Sequence, residues 1–265
     1  TDIAFALGVL SLLGSRVPLA VKVFVTTLAI VDDLMAIIVI AIFYSQDLNL
    51  SALTFAFVGW IVLFAMNFMG VTRVSAYLVI GLIIWVAVVK SGVHATLDGV
   101  MVALAIPLRA EDEDGRSPAR HLEHTLHPWV AFLILPLFAF ANAGVSFAGM
   151  GFEDLGQPVT LGIIAGLFIG KQIGVFFFSW LVIKLGFSRL PAGSTWPMLY
   201  GAAMITGIGF TMSLFIGTLA FEHGEFDYSA AVRLGVLVGS LLSAVGGYLI
   251  IRLTSSPAPA ASKPR

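Results

Sequence analysis

The chain has 265 residues, of which 59% are hydrophobic and 11% charged, with a formal net charge of -1 and a mean hydropathy of +1.01. A soluble domain would carry about a quarter charged residues, so the composition excludes a soluble globular protein, and the near-neutral charge excludes a nucleic-acid-binding surface. Without cysteine there are no disulfides and no thiolate metal sites.

In chain order, a truncated helix is expected near 2–14. The chain opens Thr1-Asp2-Ile3, with no initiator methionine, basic n-region or signal-peptide pattern, and reads as a fragment. The next helix, near 19–44, holds the most informative feature: an apolar run from Val23 to Tyr44 interrupted only by Asp32 and Asp33. Carboxylates at that depth cost several kcal/mol or more unless a cation, a proton or a basic partner compensates them. Adjacent helical residues point in different directions, so one aspartate can pair with a base while the other stays open to a cation. Na⁺ or Li⁺ suits carboxylate, carbonyl and water oxygens, and no soft ligand set is present.

Helices continue near 51–69, 75–89 and 92–106; the last two are short for a span, so a re-entrant hairpin is an alternative. Glu111-Asp112-Glu113-Asp114 reads as a solvated loop, and Ser117-Pro118 as the start of a helix near 118–142. His121, His124 and His127 recur three apart; a metal site is conceivable, but His124 and His127 read better as titrating groups that tune activity with pH. A helix near 160–183 contains Lys171 as the sole charge between Leu161 and Ile183. Gly162, Gly166, Gly170 and Gly174 recur every four residues there, a stripe expected to admit another backbone closely.

The helix near 196–221 carries Thr206-Gly207-Ile208-Gly209-Phe210-Thr211-Met212-Ser213, where paired glycines and hydroxyls favour unwinding. Together with the short Asp2 segment this suggests two interrupted helices around a midplane site, where unwound carbonyls and half-helix ends supply fixed partial charges. A last helix near 229–252 precedes a Ser/Pro/Ala-rich tail at 254–265 expected to be disordered. Lys and Arg cluster in alternate loops, which places the C-terminus in the cytoplasm, and the five tryptophans read as interfacial anchors. The fold class is an all-α membrane protein, a polytopic helical bundle.

Thr1-Asp2-Ile3-Ala4-Phe5-Ala6, Val31-Asp32-Asp33, Gly92-Val93-His94-Ala95-Thr96-Leu97, His127-Pro128-Trp129-Val130, Leu135-Pro136-Leu137-Phe138-Ala139-Phe140-Ala141-Asn142-Ala143-Gly144, Ile169-Gly170-Lys171 and the Gly207 to Ser213 stretch together resemble the NhaA-type sodium/proton antiporters. The resemblance covers nearly the whole chain, in order. It implies an inverted-repeat transporter architecture with two discontinuous helices, an ion-binding core over 1–45 and 143–253, and interface-type helices over 46–142 with a cytoplasmic pH-responsive loop at 107–127. It implies that Asp33 is the principal Na⁺-binding carboxylate, and that Asp32 pairs with Lys171 and shares in cation binding and proton exchange. Asp2 and Lys171 would offset the half-helix ends, with Thr1, Thr206, Gly207 and Gly209 supporting the breaks. Glu123, His124 and His127 resemble the family's pH-responsive funnel, and His94 a position associated with pH behaviour.

The implied activity is pH-regulated exchange of cytoplasmic Na⁺ or Li⁺ for external protons, serving sodium and pH homeostasis. It would need no cofactor and no enzymatic chemistry, in a homodimer spanning the lipid bilayer of a bacterial inner membrane. Two departures stand out. The chain aligns from the middle of the family's fourth helix, and Asp98 stands where a small neutral residue is expected; it reads as a solvated acid at a helix end, or else as a modifier of His94. Other classes fit less well. An intramembrane aspartyl protease needs aspartates on separate helices, a retinal protein would need Lys171 as its Schiff base, and no Walker loop occurs. A sodium-coupled solute symporter is the nearest rival.

Overall fold

The computed structural model describes residues 1–43, 48–111, 115–142, 155–221 and 228–255, and within these the chain is helical with no strand. The helices are α1 (Ile3–Leu12), α2 (Leu19–Phe43), α3 (Leu50–Phe68), α4 (Val74–Lys90), α5 (Thr96–Ala105), α6 (Pro118–Trp129), α7 (Leu135–Asn142), α8 (Pro158–Ile164), α9 (Lys171–Lys184), α10 (Trp196–Ile205), α11 (Phe210–Phe221) and α12 (Ser229–Thr254). Among the described residues, Leu19–Phe43, Leu50–Phe68, Pro118–Ala141, Pro158–Lys184 and Ser229–Thr254 are long and apolar enough to cross a bilayer. The pair α10 and α11, bent by 47° at its break, is apolar and long enough when taken together to make a broken span or a re-entrant loop.

Local chemistry sets these boundaries. Asn49 caps α3 by accepting from Ser51 N–H and Ala52 N–H at 3.1 and 3.2 Å, and Ser117 with Pro118 at the first helical position starts α6. Gly92, at φ 79°, supplies the left-handed turn after α4. That turn keeps residues 91–95 out of α5, so the helix expected from 92 begins at Thr96. The tail beyond Ser255 and the acidic residues Asp112, Glu113 and Asp114 lie outside the described residues.

Packing divides the chain into two units. The first comprises Thr1–Asp33 and Phe138–Arg265. Ala6 and Leu10 of α1, Val21 and Val25 of α2, Ala202 and Ile205 of α10 and Ile251 of α12 form its main buried cluster. Its helices approach most closely at α12: a Cβ on Gly247 would lie 2.7 Å from the Gly201 carbonyl, and one on Gly235 3.0 Å from the Thr160 carbonyl. Along the Gly162 stripe, Cβ atoms on Gly162, Gly166 or Gly174 would meet nothing within 4 Å among the described residues, so the close approach expected there is not made within them.

The second unit, Leu34–Leu137, packs Trp60 and Leu63 of α3, Tyr77 and Ile84 of α4 and Val102 of α5 into one cluster. Two expectations are corrected there. Trp60 is buried rather than an interfacial anchor, and Asp98 is not solvated: it is 3% exposed and accepts the Trp60 indole N–H at 2.9 Å. The indole supplies a donor that the apolar surroundings otherwise lack, which is why the pair lies inside.

Candidate functional site

The site is built around the interruption between α10 and α11, at Thr206 to Gly209. A broken helix exposes carbonyls on one side and N–H groups on the other, and inside a membrane each needs a partner. The carbonyl side is closed by turn hydrogen bonds, Gly207 N–H to Met204 and Ile208 N–H to Ile205, both at 3.0 Å. Thr206 donates its hydroxyl to the Ala203 carbonyl at 2.6 Å.

The start of the chain supplies donors to two further carbonyls of the break. The Thr1 hydroxyl lies 2.9 Å from the Thr206 carbonyl, and Asp2 N–H donates to Ile208 at 2.6 Å. On the N–H side, Gly209 and Phe210 donate to Ser240 Oγ at 3.2 and 3.3 Å. Thr211 donates its N–H and its hydroxyl to Asp2 Oδ2, at 3.2 and 2.6 Å. The other oxygen, Asp2 Oδ1, accepts from Phe5 N–H at 3.2 Å. One buried carboxylate thus faces the N-termini of both α1 and α11, where helix dipoles favour negative charge.

Glycine is required at the break for space. A Cβ on Gly207 would lie 2.3 Å from the Leu167 carbonyl and 2.4 Å from Ser243 Oγ; one on Gly209 would lie 2.0 Å from Ser213 Oγ. Ser243 Oγ, itself buried, has no hydrogen-bond partner among the described residues.

Beside this crossing, Lys171 Nζ forms an ion pair with Asp32 Oδ2. The same oxygen lies 2.9 Å from the Thr1 hydroxyl and 2.7 Å from the Thr1 main-chain nitrogen, and Lys171 also reaches Thr1 Oγ1 at 3.3 Å. Thr1 has one hydroxyl proton for two acceptors, Asp32 and the Thr206 carbonyl, so it serves one at a time. Asp33 differs: it pairs with no lysine or arginine among the described residues, and the Thr1 main-chain nitrogen lies 4.0 Å away. The two carboxyl groups diverge as expected of neighbours on a helix.

Lys171 reaches this position through a π-helical stretch, Ala165–Gly170, ending in a Lys171 N–H bond to the Gly166 carbonyl. The wider turn advances the helix by a residue and rotates α9 about its axis, a distortion frequent at functional sites. Gly166, Gly170 and Gly174, with Lys171, line a cavity of about 470 Å³, so the stripe leaves room beside the lysine.

Of the expected site residues, Thr1, Asp2, Asp32, Asp33, Lys171, Thr206, Gly207 and Gly209 all belong to the first unit. Asp2 touches the half-helix ends directly; Lys171 meets Asp32 and Thr1 instead. Glu123, His124 and His127 are exposed on α6 in the second unit. His94 precedes α5, its Nδ1 2.9 Å from Thr96 Oγ1. Sequence reasoning missed Ser240 and Ser243, whose signal was serine at i and i+3 on the small-residue face of α12. It also missed Gln172, which accepts the Tyr200 hydroxyl at 2.6 Å.

A family model described as Na⁺/H⁺ antiporter 1 matches residues 1–251. A protein named Na⁺/H⁺ antiporter NhaA 1 from Syntrophotalea carbinolica is 57% identical over 252 residues, covering 95% of this chain and 63% of its own length. One named Na⁺/H⁺ antiporter NhaA from Rhodospirillum rubrum is 58% identical over 260 residues, 96% of this chain and 65% of its own. Another of that name, from Caulobacter vibrioides, is 54% identical over 100% of this chain and 64% of its own length. The chain spans just under two thirds of the length of these relatives.

Proposed function

The chain belongs to the Na⁺/H⁺ antiporter 1 family, and from that premise we propose that it forms the ion-exchanging part of a secondary transporter that moves cytoplasmic Na⁺ or Li⁺ out against protons moving in. The observation that carries this reading is the unequal state of the two adjacent aspartates: Asp32 is held by Lys171 and Thr1, whereas Asp33 has no hydrogen bond from any described residue. A carboxylate in a membrane helix needs a cation or a proton. Asp33, without a hydrogen-bond donor among the described residues and with the Thr1 nitrogen 4.0 Å away, takes either one. Competition of Na⁺ and H⁺ for that group couples the two flows without a cofactor, and Asp32 joins in proton exchange when its pairing with Lys171 is released.

In this reading Asp2 neutralises the converging helix N-termini so that the break persists without a bound ion. Glu123, His124, His127 and His94 carry the pH response. The C-terminus is cytoplasmic, the assembly is a homodimer in a bacterial inner membrane, and the architecture is that of inverted repeats. None of the three relatives is named for solute symport.

The test is Na⁺-driven proton movement in proteoliposomes, with this chain carried in a protein of its relatives' full length. Wild type should exchange, and Asp33→Asn should lose exchange at every pH from about 6 to 9 while remaining folded. Undiminished flux in Asp33→Asn would reject the site, and Na⁺ flux that requires an organic solute would replace antiport by symport.

A further inference from the structure

The second unit contains a carboxylate that ion exchange does not use. Asp98 lies in the first turn of α5, 3% exposed, and the neutral Trp60 indole is its hydrogen-bond donor. A carboxylate offers about four lone-pair sites, and among the described residues no basic nitrogen pairs with this one. Asp98 also lines a cavity of about 450 Å³ between α4, α5 and α6, whose other walls include Leu78, Leu82, Trp85, Ile106 and Leu122. An apolar cavity of this size with one acidic residue in its lining has the form of a small-molecule site.

We propose that this cavity binds an organic monocation, a primary amine on a compact apolar or aromatic body, with the nitrogen at Asp98 and the body against Leu82, Trp85 and Leu122. The chemistry selects this class over others. A hard metal ion wants about six oxygens, and the cavity walls supply one carboxylate. An aminophospholipid would bring its phosphate beside that carboxylate, and no lysine, arginine or histidine is among the lining residues to receive it. A free amine satisfies Asp98 with charge-assisted hydrogen bonds. The resulting pair is neutral overall whichever partner holds the proton, so low dielectric does not forbid it. Specificity comes from the nitrogen, because the apolar walls accept many shapes but only a cation meets the acid.

The experiment titrates 4-fluorobenzylamine, followed by ¹⁹F NMR, into the chain in phosphatidylcholine nanodiscs, with empty nanodiscs as the reference. Saturable binding is expected, at least tenfold tighter than that of 4-fluorobenzyl alcohol, and weakened at least tenfold by Asp98→Asn. Asp33→Asn should leave it unchanged, which separates this site from the exchange site: loss of exchange with intact amine binding, or the reverse, shows which reading has failed. Binding no greater than to empty nanodiscs, equal binding of amine and alcohol, or equal affinity in a folded Asp98→Asn variant would each overturn the proposal. The alcohol comparison needs no variant. Displacement of the amine on changing to phosphatidylethanolamine nanodiscs would assign the site to a lipid headgroup and overturn it as well.

Discussion

Lys171 is paired with Asp32, while Asp33, the next residue along α2, pairs with no lysine or arginine among the described residues. Removing Lys171 leaves Asp32 half-buried with only the Thr1 donors. Lys171→Ala should therefore destabilise the protein by about 1–3 kcal/mol, reduced from the cost at a fully buried pair because water reaches both groups. Adding Asp32→Asn should recover most of that loss in thermal unfolding in detergent. If the double variant is no more stable than Lys171→Ala, the pairing is not what Lys171 contributes.

Ser240 holds the first two N–H groups of the α11 side of the break. Ser240→Ala leaves both inside the protein with no acceptor, at a cost of about 1–3 kcal/mol. Thermal unfolding measures the loss, and Ser240→Thr, which keeps the oxygen, should lie nearer wild type. Equal stability of the alanine variant would mean that another acceptor replaces the serine.

The glycines should separate into two classes. Gly207→Ala drives a Cβ to 2.3 Å from the Leu167 carbonyl, and Gly209→Ala places one 2.9 Å from Ser213 Cβ, which no hydroxyl rotation relieves, so each should cost several kcal/mol. Gly166→Ala meets open space and should be neutral or stabilising by about 0.5–1 kcal/mol. Unfolding midpoints that fail to place both Gly207→Ala and Gly209→Ala below Gly166→Ala would contradict the packing described at the break.

His124 and His127 stand exposed on α6, and an imidazole gains positive charge as pH falls. On the cytoplasmic approach proposed above, added positive charge would repel Na⁺. Replacing both with glutamine should extend exchange by the full-length protein to lower pH. An unshifted pH profile would remove these residues from the pH response.

Helix positions were legible because apolar runs in this chain are long and are punctuated by glycine, proline and charge, and the α10–α11 break because Gly207 and Gly209 stand among hydroxyls in an otherwise uniform run. The π-helical stretch before Lys171 was not, since Ala165–Gly170 has the composition of an ordinary apolar helix and its widening depends on what packs around it. Nor was the surrounding of Asp98, whose partner Trp60 is 38 residues away and carries no signal of the pairing. Ser240 and Ser243 were passed over because a serine in an apolar helix commonly bonds its own backbone; only the α11 N-terminus, brought against α12 by the fold, gives Ser240 its task.

The start of α1 grips the break through Thr1 to the Thr206 carbonyl, Asp2 N–H to Ile208 and the Asp2 carboxylate to Thr211. These bonds run in different directions from one short segment, so a slide or twist of α1 along α11 would strain all of them together. Mechanically, the crossing behaves as a clasp and travels as one piece. Opening of the proposed ion path would therefore flex the helices at their far ends, leaving the Asp2 crossing intact while the access route around it changes.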